Sequence, residues 1–183
     1  MVGVPGGMSQ GGGIGPFGFS ASPDANSTPT PVRMRRKSQL LKQAALGPAI
    51  EVLLADPHVI ALLEASEDLK AWDPFELAKA TNHRPLATLT LWCLRKSGLV
   101  RHFHLPEEKL TPFLNTVESS YLENPYHNRT HAADVTRAVH LMLTSGLRQI
   151  LDEEQQLSLY VAAAAHDINH GGLNNAFLRL THV

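Results

Sequence analysis

The stretch DEEQQLSLYVAAAAHDINHGG, residues 152–172, decides the fold class. Asp152 followed three residues later by Gln155 is a capping-box-like helix start. The alanines at 162–165 keep a helix stable while filling little space, so a neighbouring helix can approach closely. The pattern predicts a helix running through Asp167 and stopped by Gly171-Gly172. On such a helix His166 and His170 project from one side, with Asp167 turned by about 100°. Strand-like alternation is absent here and throughout the chain, so an all-α, multi-helix domain is expected.

Outward from this stretch the punctuation is equally helical. Thr130 can cap a segment His131 to Leu143, and Pro106 can start a helix with Leu110, Phe113, Leu114 and Val117 on one face. Pro85 opens a helix running to Ser97 and stopped by Gly98, and Asp73-Pro74 opens one through Ala80. Between Gln39 and Ala65 apolar residues recur at helical spacing, interrupted at Gly47-Pro48 and Asp56-Pro57. Three regions are therefore expected: a Gly/Pro/Ser-rich disordered tail with a basic end over 1–37, a short helical spacer over 38–68, and the main helical domain over 69–183.

The tail ends in Arg33, Arg35, Arg36 and Lys37, followed by Ser38. The bland reading is a solvated basic boundary. The sharper one is a phosphorylation site at Ser38, since Arg-Arg-Lys-Ser resembles the substrate pattern of basophilic kinases. Added negative charge there would sit favourably at a helix start.

Bulk properties exclude several classes. Net charge is −1 with histidine neutral, which gives no general attraction to nucleic acid or acidic lipid. The one cysteine, Cys93, rules out an intrachain disulfide framework and suits a reducing compartment. No apolar run approaches the ~20 residues that span a bilayer, and no secretory signal is recognisable at the start. A cytoplasmic, soluble protein without a membrane span is the expectation.

Ten histidines are many for 183 residues, and several fall in two clusters. The first is Tyr126-His127-Asn128-Arg129-Thr130-His131, with His127 just before a helix and His131 in its first turn. The second is His166-Asp167-Ile168-Asn169-His170. Neutral imidazole supplies a directional nitrogen donor, and an adjacent carboxylate supplies charge and can bridge two cations. The spacing alone leaves three readings open: a metal site, structural histidines, or an acid–base pair without metal.

The motifs Asn-Pro-Tyr-His-Asn-Arg-Thr-His-Ala-Ala-Asp-Val (124–135) and His-Asp-Ile-Asn-His-Gly-Gly-Leu-Asn-Asn-Ala-Phe-Leu (166–178) resemble the YHNxxHAADV and HDxxHxGxxNxF patterns of class I cyclic nucleotide phosphodiesterases, in the same order. Weaker similarity reaches back to Leu69, through Asn82-His83-Arg84-Pro85-Leu86 and Gly98-Leu99-Val100. The resemblance implies an HD-type helical domain hydrolysing cAMP or cGMP to the 5′-monophosphate in signal transduction. It implies two divalent metals, Zn2+ with Mg2+ or Mn2+. His127 corresponds to the acid that protonates the departing O3′, His131 and His166 to ligands of the tighter metal, and Asp167 to the carboxylate reaching both. His170 falls beside the metal centre as a supporting residue, and Tyr126 near the substrate pocket.

Asn169 stands where many members carry Asp, and Gly171 where many carry Pro or Arg. Tuning rather than loss of the site is expected from these, since an amide still accepts a hydrogen bond. The family pattern continues beyond the second motif through helices bearing a further metal-ligand Asp and the purine-gripping glutamine. The chain is thus expected to hold the N-terminal portion of the domain, with little activity alone. Two alternatives stand beside this: another HD-type nucleotide phosphohydrolase, or a non-catalytic truncated product that binds a partner.

Overall fold

The computed structural model describes residues 49–181, so the tail, its basic knot and Ser38 lie outside the described residues. Every regular element among the described residues is helical. In chain order these are α1 (Ile50–Leu53), α2 (Pro57–Ala65), α3 (Pro74–Ala80), α4 (Pro85–Lys96), α5 (Leu99–His102), α6 (Glu107–Ser119), α7 (Arg129–Thr144), a 3₁₀ turn (Leu147–Gln149), α8 (Glu153–Ala165) and α9 (Asn175–Thr181).

Local chemistry accounts for most of these boundaries. Asp56 and Asp73 each accept a backbone N–H from the first turn of the helix that Pro57 or Pro74 opens. Asp152 and Gln155 form the reciprocal capping box that starts α8. Gly98, at φ +81°, supplies the left-handed residue that ends the run of α4 and admits α5 at a new angle.

Helix α4 is the hub. Nine of its twelve residues are buried, from Pro85 to Leu91 and then Cys93 and Leu94, which is why its sequence is apolar on nearly every side. Thr88 and Thr90 survive there because each hydroxyl donates to the carbonyl four residues back. Helices α6, α7 and α8 pack around α4, and α7 also packs along α8. The main core joins Leu86, Leu89 and Leu94 of α4 to Ala132 and Ala133 of α7 and to Tyr160 and Ala164 of α8. Alanines on both α7 and α8 permit that close approach, bringing the two histidine clusters side by side. Helices α1 and α2 supply Ile50, Val59 and Leu63 to the interior, all fully buried.

Four expectations need correction. The cap of α7 is Asn128 rather than Thr130; its side-chain oxygen accepts from the N–H groups of Thr130 and His131. Helix α8 ends at Ala165 rather than Asp167, and 166–169 form a turn with Asn169 in the left-handed region at φ +59°. The stop therefore comes before Gly171-Gly172, and His166 and His170 do not share a helical face. Phe113 is 46% exposed, whereas Leu114 and Val117 are buried, so the apolar stripe of α6 is narrower than its sequence suggests.

Glu118 on α6 is the most deeply buried acid of the fold. One of its carboxyl oxygens accepts the Leu86 N–H at the start of α4, while Arg84 Nε stands 3.9 Å from the other. Burial pushes its carboxyl up to about 7, against the opposing pull of the Leu86 and Ala87 N–H groups and of Arg129 and Arg84. No described helix is long and apolar enough to cross a membrane.

Candidate metal centre

His131 enters from the first turn of α7, and His166 and Asp167 from the turn that ends α8. One donor atom from each lies within 4.8 Å of the others. Asp167 Oδ2 is the meeting point, 3.2 Å from His166 Nε2 and 3.6 Å from His131 Nε2. The three side chains are 14–33% exposed, so the cluster is open on one side.

The hydrogen bonds fix what the imidazoles present. His166 Nδ1 lies 2.8 Å from the Ala163 carbonyl, which can only accept, so Nδ1 carries the proton. In the neutral ring Nε2 then points a lone pair at the Asp167 carboxylate, and two acceptors face each other at 3.2 Å. His131 is biased toward its neutral form. Burial lowers its pKa, His166 and His127 lower it further, and the Asp167 and Asp134 carboxylates pull the other way. Two imidazole nitrogens and a carboxylate oxygen converge on one point, an arrangement that a cation or a shared proton completes. The donor set, two imidazoles and one carboxylate, fits a divalent transition metal. An anchored Nδ1 is the usual arrangement that orients a ligating histidine.

The other residues singled out in the sequence surround this cluster without joining it. His127 lies just before α7, its ring centroid 6.0 Å from that of His131 and stacked at 4.0 Å on His170. His170 Nδ1 accepts the Gly172 N–H, so that nitrogen is occupied. Tyr126 is 63% exposed, and its ring lies 4.4 Å from His131 and 5.0 Å from His127. Asn169 turns its backbone N–H to the Ser120 carbonyl, an interaction that an Asp at this position would make equally well.

Three contributors escaped the sequence reading. Tyr121 is 1% exposed; its hydroxyl donates to the Ala164 carbonyl at 2.9 Å and accepts the Asp167 N–H at 3.4 Å, tying the end of α8 to the end of α6. Nothing in the sequence around Tyr121 marks this role. Asn128 was legible in principle, as a good capping residue directly before a helix. Asn124 donates both amide hydrogens, to the His127 and His170 carbonyls at 3.1 and 2.7 Å.

Comparison with known proteins agrees with this architecture. Residues 126–182 match the 3'5'-cyclic nucleotide phosphodiesterase family, a span holding both histidine clusters. The chain is 39% identical over 113 residues to the dual specificity calcium/calmodulin-dependent 3',5'-cyclic nucleotide phosphodiesterase 1B of Bos taurus, covering 60% of this chain and 21% of that protein. It is 36% identical over 124 residues to the Homo sapiens high affinity cAMP-specific and IBMX-insensitive 3',5'-cyclic phosphodiesterase 8A, covering 67% of this chain and 15% of that one. With the Rattus norvegicus 3',5'-cyclic-AMP phosphodiesterase 4C it shares 35% over 121 residues, 64% of this chain and 23% of the relative. The matched region thus spans less than a quarter of each relative's length. The helical fold is the one expected of an HD-type domain. Over its histidine-bearing region the chain is similar to 3',5'-cyclic nucleotide phosphodiesterases.

Proposed function

We propose that this chain contributes to the hydrolysis of a 3',5'-cyclic nucleotide, cAMP or cGMP, to its 5′-monophosphate. The observation that carries the reading is the convergence of His131 Nε2, His166 Nε2 and one Asp167 oxygen within 4.8 Å. In this reading His131, His166 and Asp167 hold metal, with Zn2+ and Mg2+ (or Mn2+) as the pair that suits imidazole and carboxylate donors. The chemistry such cations supply when bound is polarisation of a phosphate and acidification of a water.

The protein's own residues do the rest. His127 is held outside the ligand set, which leaves its ring to carry a proton to the leaving O3′ as water oxygen bonds to phosphorus and the P–O3′ bond breaks. His170 backs the His127 ring, and exposed Tyr126 forms a lip of the nucleotide pocket.

Two variants test the assignment. His127→Ala should cripple turnover of cAMP and cGMP with Mg2+ or Mn2+ while metal stays bound, and Asp167→Ala should lose metal as well. Wild-type turnover by both would sink it. A second reading, a non-catalytic product that binds a partner, is favoured by the exposure of Val161, Ile168, Phe177 and Leu180 on one region of the chain. Any turnover of either nucleotide by the 183-residue chain eliminates it.

A further inference from the structure

We infer that Asn124 is a positioning residue that sets the His127 ring against His170, and so fixes the acid in register with the metal cluster. The inference rests on the assignment of His127 as the acid.

His127 and His170 belong to two loops, 120–128 and 166–174, that no helix spans in common. Their rings nevertheless lie parallel to within 23° at 4.0 Å. One side chain links the two backbones directly: the Asn124 amide gives one hydrogen to the His127 carbonyl and the other to the His170 carbonyl. Both donors of the group are thereby used, and the shorter bond, 2.7 Å, spans 46 residues of sequence. The third loop residue in contact is Gly172, at φ +76°. A Cβ there would come 3.1 Å from the Asn124 oxygen, so the absence of a side chain lets the amide sit between the loops.

The same residue is separated from the metal ligands by a division within its own atoms. Its backbone carbonyl, not its amide, accepts from the Asn128 side chain that caps α7 and holds the His131 N–H. Replacing the side chain therefore leaves the His131 arm intact and releases only the His127–His170 pair. An Asp is the same shape but has no donor, and its oxygen would face two carbonyls.

The test uses the full chain and reads two properties in each sample. Ring-current displacement of the His127 and His170 proton resonances, assigned by single substitution of each histidine, reports the stack. Co2+ absorption reports binding by His131, His166 and Asp167. In Asn124→Ala and Asn124→Asp the ring-current displacement should be lost from both histidines, while helical circular dichroism is kept and Co2+ affinity stays within about threefold. That change is small beside the 10- to 100-fold typical of losing a residue that supports a ligand. Gly172→Ala should reproduce the loss in part by displacing the amide. A stack kept in Asn124→Asp overturns the inference. So does loss of helicity in both Asn124 variants, which would make the residue a determinant of the fold instead. Absence of Co2+ binding in the unaltered chain would defeat the metal reading alone, since the ring stack is scored independently of metal.

Discussion

Helices α7 and α8 meet through a histidine twice, with opposite results. At one end His131 faces His166 and Asp167; further along α7, His140 faces Tyr160 of α8 and Glu67 from the stretch after α2. His140 is 1% exposed, with Nδ1 2.6 Å from the Tyr160 hydroxyl and Nε2 3.3 Å from Glu67. Lys96 closes that second cluster by pairing with Glu67 and lying over the Trp92 ring. Burial lowers the pKa of both His131 and His140. The difference lies in what surrounds the nitrogens. Each nitrogen of His140 has a partner able to complement it, so the group is satisfied and closed to ligands. The Nε2 atoms of His131 and His166 converge on one Asp167 oxygen, at an edge open to solvent. A buried histidine is therefore structural or functional according to whether its neighbours donate or only accept.

The largest test exchanges the two ends. His166→Ala should weaken Zn2+ or Co2+ binding more than about 100-fold, with a stability change below about 0.5 kcal/mol. His140→Ala should do the reverse. It strands the Tyr160 hydroxyl and opens a cavity, costing about 2–4 kcal/mol in urea denaturation, and leaves metal affinity unchanged. If the two variants gave the same pattern, the contrast between the ends would collapse.

Tyr121→Phe sharpens the comparison at the metal end. Its hydroxyl does for the His166–Asp167 turn what Tyr160 does for His140, but from outside the ligand set. Loss of that hydroxyl should cost about 1 kcal/mol of stability and lower metal affinity about tenfold. Titration with Co2+ beside a denaturation curve separates the two. A stability loss with unchanged affinity would reduce Tyr121 to a core contact.

The last comparison is with Glu118, a buried acid with neither a full set of partners nor a ligand to hold. Its pKa is raised by folding from 4.5 to about 7, so the folded state binds the proton more tightly than the unfolded chain. The stabilisation this provides is complete below pH 4.5 and is lost as pH rises through 7. Glu118→Gln fixes a neutral group in place and should flatten the dependence of the urea midpoint between those two pH values. An unchanged slope would mean that Arg84 and Arg129 hold the carboxylate ionised.

Much of this was readable from local chemistry. Asp73-Pro74, Pro85 and the Asp152–Gln155 pair gave helix starts because capping involves only neighbouring residues. What failed locally failed for tertiary reasons. The periodic apolar signal of α8 continues past Ala165, yet the chain leaves the helix there, where Tyr121 takes the Ala164 carbonyl and the Asp167 N–H. Phe113 fits the stripe of α6, but among the described residues no element packs over it closely enough to bury it.

The two histidine clusters were legible because residue type and spacing are properties of the sequence, and they carried the resemblance to the phosphodiesterases before any coordinate did. The sequence by itself pointed to the helical class of the described residues and singled out His131, His166, Asp167 and His127 as residues to watch. Only the tertiary structure decided which nitrogen His166 presents, that His170 stacks on His127 apart from the His131–His166–Asp167 cluster, and that Asn124 and Tyr121 link the loops. The reason is physical: a donor atom is a property of one residue, whereas its direction is set by the carbonyls and N–H groups that folding brings against it from distant parts of the chain.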